Sequence, residues 1–204
     1  MIKIAPSILA ADLIDIKEEV ELVDKNGAEY IHIDVMDGHY VPNITFGPNI
    51  VKSLRPITNK VLDVHLMISP VEKFIDNFIN AGADIISFHP EADKNSFEII
   101  KNIKINSCKA GIAIHPNIKV SDIVHFLEVI DLVVVMTVVP GFGGQKFMNS
   151  EVDKIIELKK IRNEKNLKFE IQIDGGINNE TGKICKNSGA DVLVAGSYIF
   201  SDNK

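Results

Sequence analysis

Short runs that are apolar throughout or at every second residue alternate along this chain with stretches whose apolar residues recur every three or four positions. The first pattern suits strands, which send successive side chains to opposite faces, and the second suits amphipathic helices. Strands are expected at residues 3–9, 30–36, 61–67, 85–89, 110–114, 132–138, 169–174 and 192–195. Helices are expected on the apolar faces made by Leu13, Ile16, Val20 and Val23, then over residues 49–54, then by Val71, Phe74, Ile75, Phe78 and Ile79. Further ones follow on Phe97, Ile100 and Ile103, on Ile123, Val124 and Leu127, on Val152, Ile155, Leu158 and Ile161, and around Ile184 and Cys185. Asp12 is placed to cap the first helix and Gly27 to stop it, while Pro70 suits the first position of the third.

Eight strands with helix-like sequence between them give about 25 residues per unit, the spacing of βα repeats. The segments NGAEYIHI, AGADIISF and SGADVLVA each set Gly, Ala and an acid before a strand, at Gly27, Gly82 and Gly189. Their spacings of 55 and 107 residues are close to two and four units. Eight such units either close into a ring or lie open as a doubly wound sheet. Closure is favoured, because polar residues end strands from the first to the eighth and only a ring brings those ends together. No GxGxxG follows the first strand, so the dinucleotide-binding fold lacks its best signal. The expectation is an α/β fold, a single (β/α)8 barrel over residues 1–204, with the eighth helix short or missing because only residues 201–204 follow AGSYIF.

Composition narrows the functions. The 46% hydrophobic content can fill a sizeable core, and the net charge of −6 with scattered basic residues disfavours nucleic acid and anionic membrane as partners. Two distant cysteines, Cys108 and Cys185, fit a reducing compartment. The N-terminal residues do not make a signal peptide, and no apolar run reaches the length of a membrane span. A cytoplasmic location is expected.

Chemistry concentrates at strand ends. In HIDVMDG, His32, Asp34 and Met36 share one strand face, with Ile33 and Val35 on the other. The same layout places Asp63, His65 and Met67 together in DVHLMI, and Gln172 with Asp174 in EIQIDGG. His32, Asp34, His65 and Asp174 would then project into the barrel mouth and offer mixed nitrogen and oxygen ligands to one divalent ion, of the kind that suits Zn, Fe, Mn or Co. Asp34 and Asp174, on well-separated strands, are placed to work from opposite faces of a substrate, as an epimerase requires. VVPGFGGQ follows the sixth strand, and Gly175, Gly176, Gly196 and Ser197 follow the seventh and eighth, where barrels commonly bind phosphate. Met36, Met67 and Met136 fall on the inward face, as core filler or as an apolar collar around the ligands. His89 either lines the mouth or bonds a neighbouring loop.

SILAADL, HIDVMDGHYVPN, DVHLMI, VVPGFGGQKF, IDGGIN and AGSYIF, in order over nearly the whole chain, resemble ribulose-phosphate 3-epimerases. The resemblance implies a (β/α)8 barrel that interconverts D-ribulose 5-phosphate and D-xylulose 5-phosphate in the pentose phosphate pathway. It implies metal ligation by His32, Asp34, His65 and Asp174, with the two aspartates as acid and base. It implies sugar contacts from Ser7 and His65, a loop of Gly141, Phe142, Gly143 and Gly144 over the sugar, and phosphate held by Gly175, Gly176, Gly196 and Ser197. The expected partner is a small sugar phosphate, in a homo-oligomer. Ala10, Leu13 and His115 depart from the family pattern, away from the proposed ligands. An allulose 6-phosphate 3-epimerase would use the same residues, and a non-catalytic sugar-phosphate-binding barrel is the reading from another class. A metal-free decarboxylase or aldolase would ordinarily place a lysine among the inward strand ends, where none is expected.

Overall fold

The computed structural model describes residues 2–200; Met1 and residues 201–204, the ends of the expected span, lie outside the described residues. Its strands are β1 (Lys3–Pro6), β2 (Tyr30–Met36), β3 (Val61–Met67), β4 (Ile85–Phe88), β5 (Lys109–Ile114), β6 (Leu132–Met136), β7 (Glu170–Asp174) and β8 (Val192–Ala195). Its α-helices are α1 (Ile16–Lys25), α2 (Pro48–Leu54), α3 (Ile75–Ala81), α4 (Ser96–Ile105), α5 (Val152–Glu164), α6 (Asn179–Ser188) and the short α7 (Ser197–Phe200).

All strand pairs are parallel, in the order β1-β8-β7-β6-β5-β4-β3-β2. The two ends of that order meet through a bridge between Ser7 and His32 and a bond from the Glu29 amide to Ile4 O at 3.2 Å. The sheet is thus a nearly closed (β/α)8 barrel, the architecture expected from the alternating periods. Two large apolar regions hold it, with a smaller cluster of Met36, Val41 and Met67 near the strand ends. Outward side chains such as Ile31, Ile33 and Val35 of β2 and Leu62, Val64 and Leu66 of β3 pack in the layer between wall and helices. Inside the ring, Ala5, Ile85, Ala113, Leu132, Val134 and Val192 fill a separate core. Each buried aliphatic side chain contributes roughly 1.5–3 kcal/mol relative to leaving it in water.

Several elements differ from the sequence expectation, each for a local reason. The first strand stops at Pro6 rather than Leu9, and a 3-10 turn over Ile8–Ala10 follows, with the Ser7 hydroxyl accepting from the Leu9 amide. Asp12 does not cap α1: its carboxylate accepts from the Ile14 amide in a local turn, the helix starts at Ile16, and Leu13 stands exposed. Pro70 does not open a helix. The Ser69–Pro70 peptide is cis, and a 3-10 turn over Glu72–Phe74 precedes α3, leaving Phe74 partly exposed. In α4 the buried side belongs to Ile99, Ile100 and Ile103, with Phe97 turned outward, and in α6 Cys185 is buried while Ile184 is exposed. The expected fifth helix is two 3-10 turns, Val120–Asp122 and Val124–Phe126, although Ile123 and Leu127 still reach the core. The expected strand ends at His89 and Val138 lie beyond β4 and β6, and Phe169 lies just before β7.

The inner face leaves no spare volume at β5. A Cβ on Gly111 would sit 2.9 Å from the Ser87 Cβ and 3.2 Å from the Leu132 Cβ, on the two flanking strands. Gly111→Ala is therefore expected to cost about 1–3 kcal/mol through overpacking, read as a lower midpoint in urea unfolding.

Candidate functional site

The register of β2 on β3 sets the depth of every polar group in the barrel. His32 lies opposite Asp63, Asp34 opposite His65, and Met36 opposite Met67. On the far side, β7 presents Gln172 and, two residues higher, Asp174. In the lower layer His32 Nδ1–H donates to Asp63 Oδ2 at 2.7 Å and Gln172 Nε2 donates to the same oxygen at 2.6 Å, while Asp63 Oδ1 and Gln172 Oε1 have no hydrogen-bond partner among the described residues. All three side chains are fully buried. With Nδ1 protonated in this way, His32 turns the lone pair of Nε2 upward.

There Nε2 meets three other donor atoms. It lies 3.4 Å from Asp34 Oδ1 and 3.7 Å from Asp174 Oδ2, and His65 Nδ1 lies 3.6 Å from each of the same two oxygens. The four atoms all fall within 4.8 Å of one another. Divalent ions with ligands at about 2.0–2.2 Å hold neighbouring donors roughly 3–3.6 Å apart, so this ring fits such an ion. Two further observations support the fit. His32 Nε2 and His65 Nδ1 are buried and have no hydrogen-bond partner among the described residues, an expensive state for nitrogens aimed at nothing. The electrostatics also tie the four groups to one centre. Burial alone would lower the pKa of both imidazoles, but Asp34 and Asp63 beside His32, and Asp174 and Asp34 beside His65, outweigh it and raise both. Burial would raise the pKa of Asp34, and burial with the charge of Asp34 would raise that of Asp174; His32 and His65 nevertheless hold both carboxyls below the usual carboxylate range.

The aspartates are held from outside the ring. Ser7 donates to Asp34 Oδ2 at 2.5 Å, and Thr45 Oγ1 donates to the Asp34 carbonyl at 2.5 Å. The Thr137 amide donates to the Asp174 carbonyl at 2.7 Å. Above the ring opens a cleft of about 310 Å³, at the small end of the roughly 300–1,000 Å³ of ligand sites. Ser7, Asp34, Asp174 and the methionines 36, 67 and 136 line it, as do Gly141, Phe142, Gly143 and Gly144 after β6, Gly175 and Gly176 after β7, and Gly196 and Ser197 after β8. His32 and His65 lie beneath that surface, fully buried. No lysine or arginine lines the cleft among the described residues.

Against that geometry the comparisons are specific. The model of the ribulose-phosphate 3 epimerase family matches residues 3–200. The chain belongs to this family. It is 50% identical over 207 residues to a ribulose-phosphate 3-epimerase of Bacillus subtilis (strain 168), covering 100% of this chain and 95% of that one. It is 44% identical over 199 residues to one of Rhodobacter capsulatus, covering 98% and 86%. Among solved structures, a 3-keto-L-gulonate-6-phosphate decarboxylase of Vibrio cholerae matches with a TM-score of 0.73 at 16% identity, covering 96% of this chain and 88% of that chain, a likeness of fold alone.

Within this epimerase-family barrel, two residues outside the four donors, one beneath the ring and one above it, carry weight that their sequence context only half reveals. Asp63 shares the inward face of β3 with His65, and its depth, level with His32 and Gln172, makes it the group that orients His32. Gly176 is needed for a different reason. At φ +65° a Cβ would lie 2.6 Å from the Phe147 amide nitrogen, so the turn after Asp174 closes only around glycine. Replacing the Asp63 carboxylate by Asn gives His32 and Gln172 a single weaker acceptor. Asp63→Asn is expected to weaken uptake of a divalent ion by this ring about 10- to 100-fold, measured by calorimetric titration of the metal-stripped protein.

Proposed function

We propose that the chain, as one (β/α)8 unit, catalyses metal-dependent epimerisation at C3 of a ketose phosphate, from D-ribulose 5-phosphate to D-xylulose 5-phosphate. The observation that carries this reading is the convergence of His32 Nε2, Asp34 Oδ1, His65 Nδ1 and Asp174 Oδ2 at the foot of the cleft. Family membership supports the substrate class, since the two relatives above are named ribulose-phosphate 3-epimerases.

His32, Asp34, His65 and Asp174 would hold one divalent ion, Zn, Fe, Mn or Co by the chemistry of the donors. When bound, that ion supplies positive charge that makes the carbon acid next to a carbonyl easier to deprotonate. The protein supplies the proton transfers. Asp34 and Asp174 rise from β2 and β7, with β1 and β8 between them around the wall, so they reach a bound sugar from different directions. One carboxylate takes the C3 proton and the electron pair moves toward the C2 carbonyl, giving an enediolate. The other carboxylic acid returns a proton to the opposite face of C3, which inverts that centre. In the reverse direction the two exchange roles. General acid–base catalysis of this kind contributes about 100- to 10,000-fold.

The surrounding residues prepare the site. Ser7 fixes the oxygen of Asp34 that faces away from the ring and lines the cleft where it would contact the sugar, while His65, buried beneath the cleft, acts from below. Met36, Met67 and Met136 form an apolar collar that limits water around the carbanion-like carbon. The loop of Gly141, Phe142, Gly143 and Gly144 covers the sugar and is tied down where Asn43 donates to the Gly141 carbonyl at 2.7 Å. Gly175, Gly176, Gly196 and Ser197 hold the phosphate. With no basic side chain in the cleft among the described residues, backbone amides do this work. The same proposal includes a cytoplasmic setting and a homo-oligomer, which the exposed apolar pair Leu13 and Ile14 would favour.

Asp174→Asn and Asp34→Asn are each expected to lower turnover at least 1,000-fold, on the order that loss of an essential acid or base gives, with circular dichroism unchanged. Wild-type levels of deuterium entering C3 from solvent in either variant would overturn the acid–base assignment. Chelation is expected to abolish turnover, and Zn, Mn, Co or Fe salts to restore it. Faster turnover of a hexulose 6-phosphate than of the pentulose would reassign the substrate. Gly176→Ala, whose Cβ would meet the Phe147 backbone, is expected to displace the turn that aims its amides at the anion and so raise KM about tenfold or more, measured by steady-state kinetics.

A further inference from the structure

The two nitrogens of His65 face different surroundings. Nδ1 points into the donor ring, while Nε2 lies 3.1 Å from Nε2 of His89, in a region where both rings are fully buried. Two imidazole nitrogens at that distance share one proton, so one donates and the other accepts. If Nδ1 of His65 is to keep its lone pair for an ion, its proton must sit on Nε2. His89 Nε2 is then the acceptor, and the proton of His89 must sit on its own Nδ1. With the opposite choice, His89 donates to His65, the proton of His65 moves to Nδ1, and the donor ring loses one ligand.

The structure contains groups that decide between the two. His89 Nδ1 faces Glu91 Oε1 at 3.6 Å and has no hydrogen-bond partner among the described residues. A carboxylate in that direction favours a proton on Nδ1 and offers none in return. Glu91 is held by the Tyr40 hydroxyl, which donates to Oε1 at 2.8 Å. The Tyr40 ring stacks on His89, with centroids 4.6 Å apart and planes 28° apart, and so fixes the imidazole plane. The parts come from separate loops: Tyr40 follows β2, and Glu91 lies in the 3-10 turn Pro90–Ala92 after β4. Their convergence on one ring is not explained by packing alone, because Tyr40 and Glu91 are polar groups joined at the rim of a buried nitrogen.

We propose that His89, oriented by Glu91 and Tyr40, is a positioning residue that locks His65 in the tautomer whose Nδ1 is free for a divalent ion. The inference rests on the ion-binding reading of the donor ring. It parallels the way Asp63 orients His32, but through a neutral relay rather than a direct carboxylate. Hydrogen bonds of this type also make the ligating nitrogen more basic.

The test uses metal-stripped full-length protein titrated with Co²⁺, followed by visible absorption and calorimetry, together with ¹⁵N NMR of the histidine rings after Zn²⁺ loading. The loaded parent is expected to show protons on Nε2 of His65 and on Nδ1 of His89. His89→Leu, which removes the acceptor, is expected to weaken Co²⁺ binding about 10- to 100-fold, and Glu91→Ala by a smaller factor of about 3- to 10-fold. His89→Gln, whose carbonyl can accept from His65, is expected to stay within about threefold of the parent. A proton on Nε2 of His89, or unchanged Co²⁺ affinity in a folded His89→Leu protein, overturns the proposal. So does a His89→Gln protein as weak as His89→Leu, since shape rather than acceptor capacity would then matter. Should His89→Leu fail to fold, the ring NMR of the parent and the affinity of Glu91→Ala decide the matter alone. A parent that takes up no Co²⁺ would instead sink the ion-binding reading itself.

Discussion

The structure depends on keeping two carboxylates and two imidazoles together at the foot of the cleft, largely out of reach of solvent. Asp34 and Asp174 are both nearly buried, and their like charges would separate them if nothing positive stood between. His32 and His65 supply part of that compensation, and the common centre of the four donor atoms is where a cation would supply the rest. Breaking up such a group leaves a buried charge uncompensated, a loss of several kcal/mol. The barrel must therefore hold its strands in a register that never lets these four side chains drift apart.

That register is enforced from below and from the sides rather than by the ring itself. At the floor, Lys3 and Tyr30 both bond to Glu170, joining β1, β2 and β7 through side chains. One layer higher, Asp63 ties His32 to Gln172 and so joins β2, β3 and β7. The seam between β1 and β2 has few ladder bonds, and Ser7 crosses it twice, by its backbone bridge to His32 and by its hydroxyl bond to Asp34. The place where the sheet is least continuous is thus braced by a residue that also fixes a proposed catalytic oxygen. Stability and chemistry share these bonds.

Much of this was legible in the chain, for reasons that can be named. A strand with ligand-type residues at every second position announces both its face and its content, so β2, β3 and β7 could be read together with the four donor residues they carry. Depth was not legible. Asp63 and Asp174 both lie on an inward strand face, and the bonds of Asp63 to His32 and Gln172 show that it sits beneath the four donor atoms. Short 3-10 turns were missed because Ile123, Val124 and Leu127 meet the spacing of an α-helix as well. Capping was misread at Asp12 because an aspartate can bond to the chain two residues on as readily as it can begin a helix. His89 was left undecided because its partners, Tyr40 and Glu91, are brought to it only by the closed ring.

The polar layers also explain why the inside of this barrel is not packed with aliphatic side chains throughout. Val134 of β6 and Val192 of β8 flank Gln172 of β7 in register, so apolar side chains border the layer of His32, Asp63 and Gln172 inside the ring. These apolar neighbours limit water around the layer, which strengthens its electrostatic interactions, and above it His32 Nε2 and His65 Nδ1 have no hydrogen-bond partner among the described residues. A cation bound there is bound to the folded state alone, since the four ligands come from strands that are neighbours only once the ring has formed. Closing the ring and creating the ion site are then one event, and the free energy of ion binding adds to that of folding.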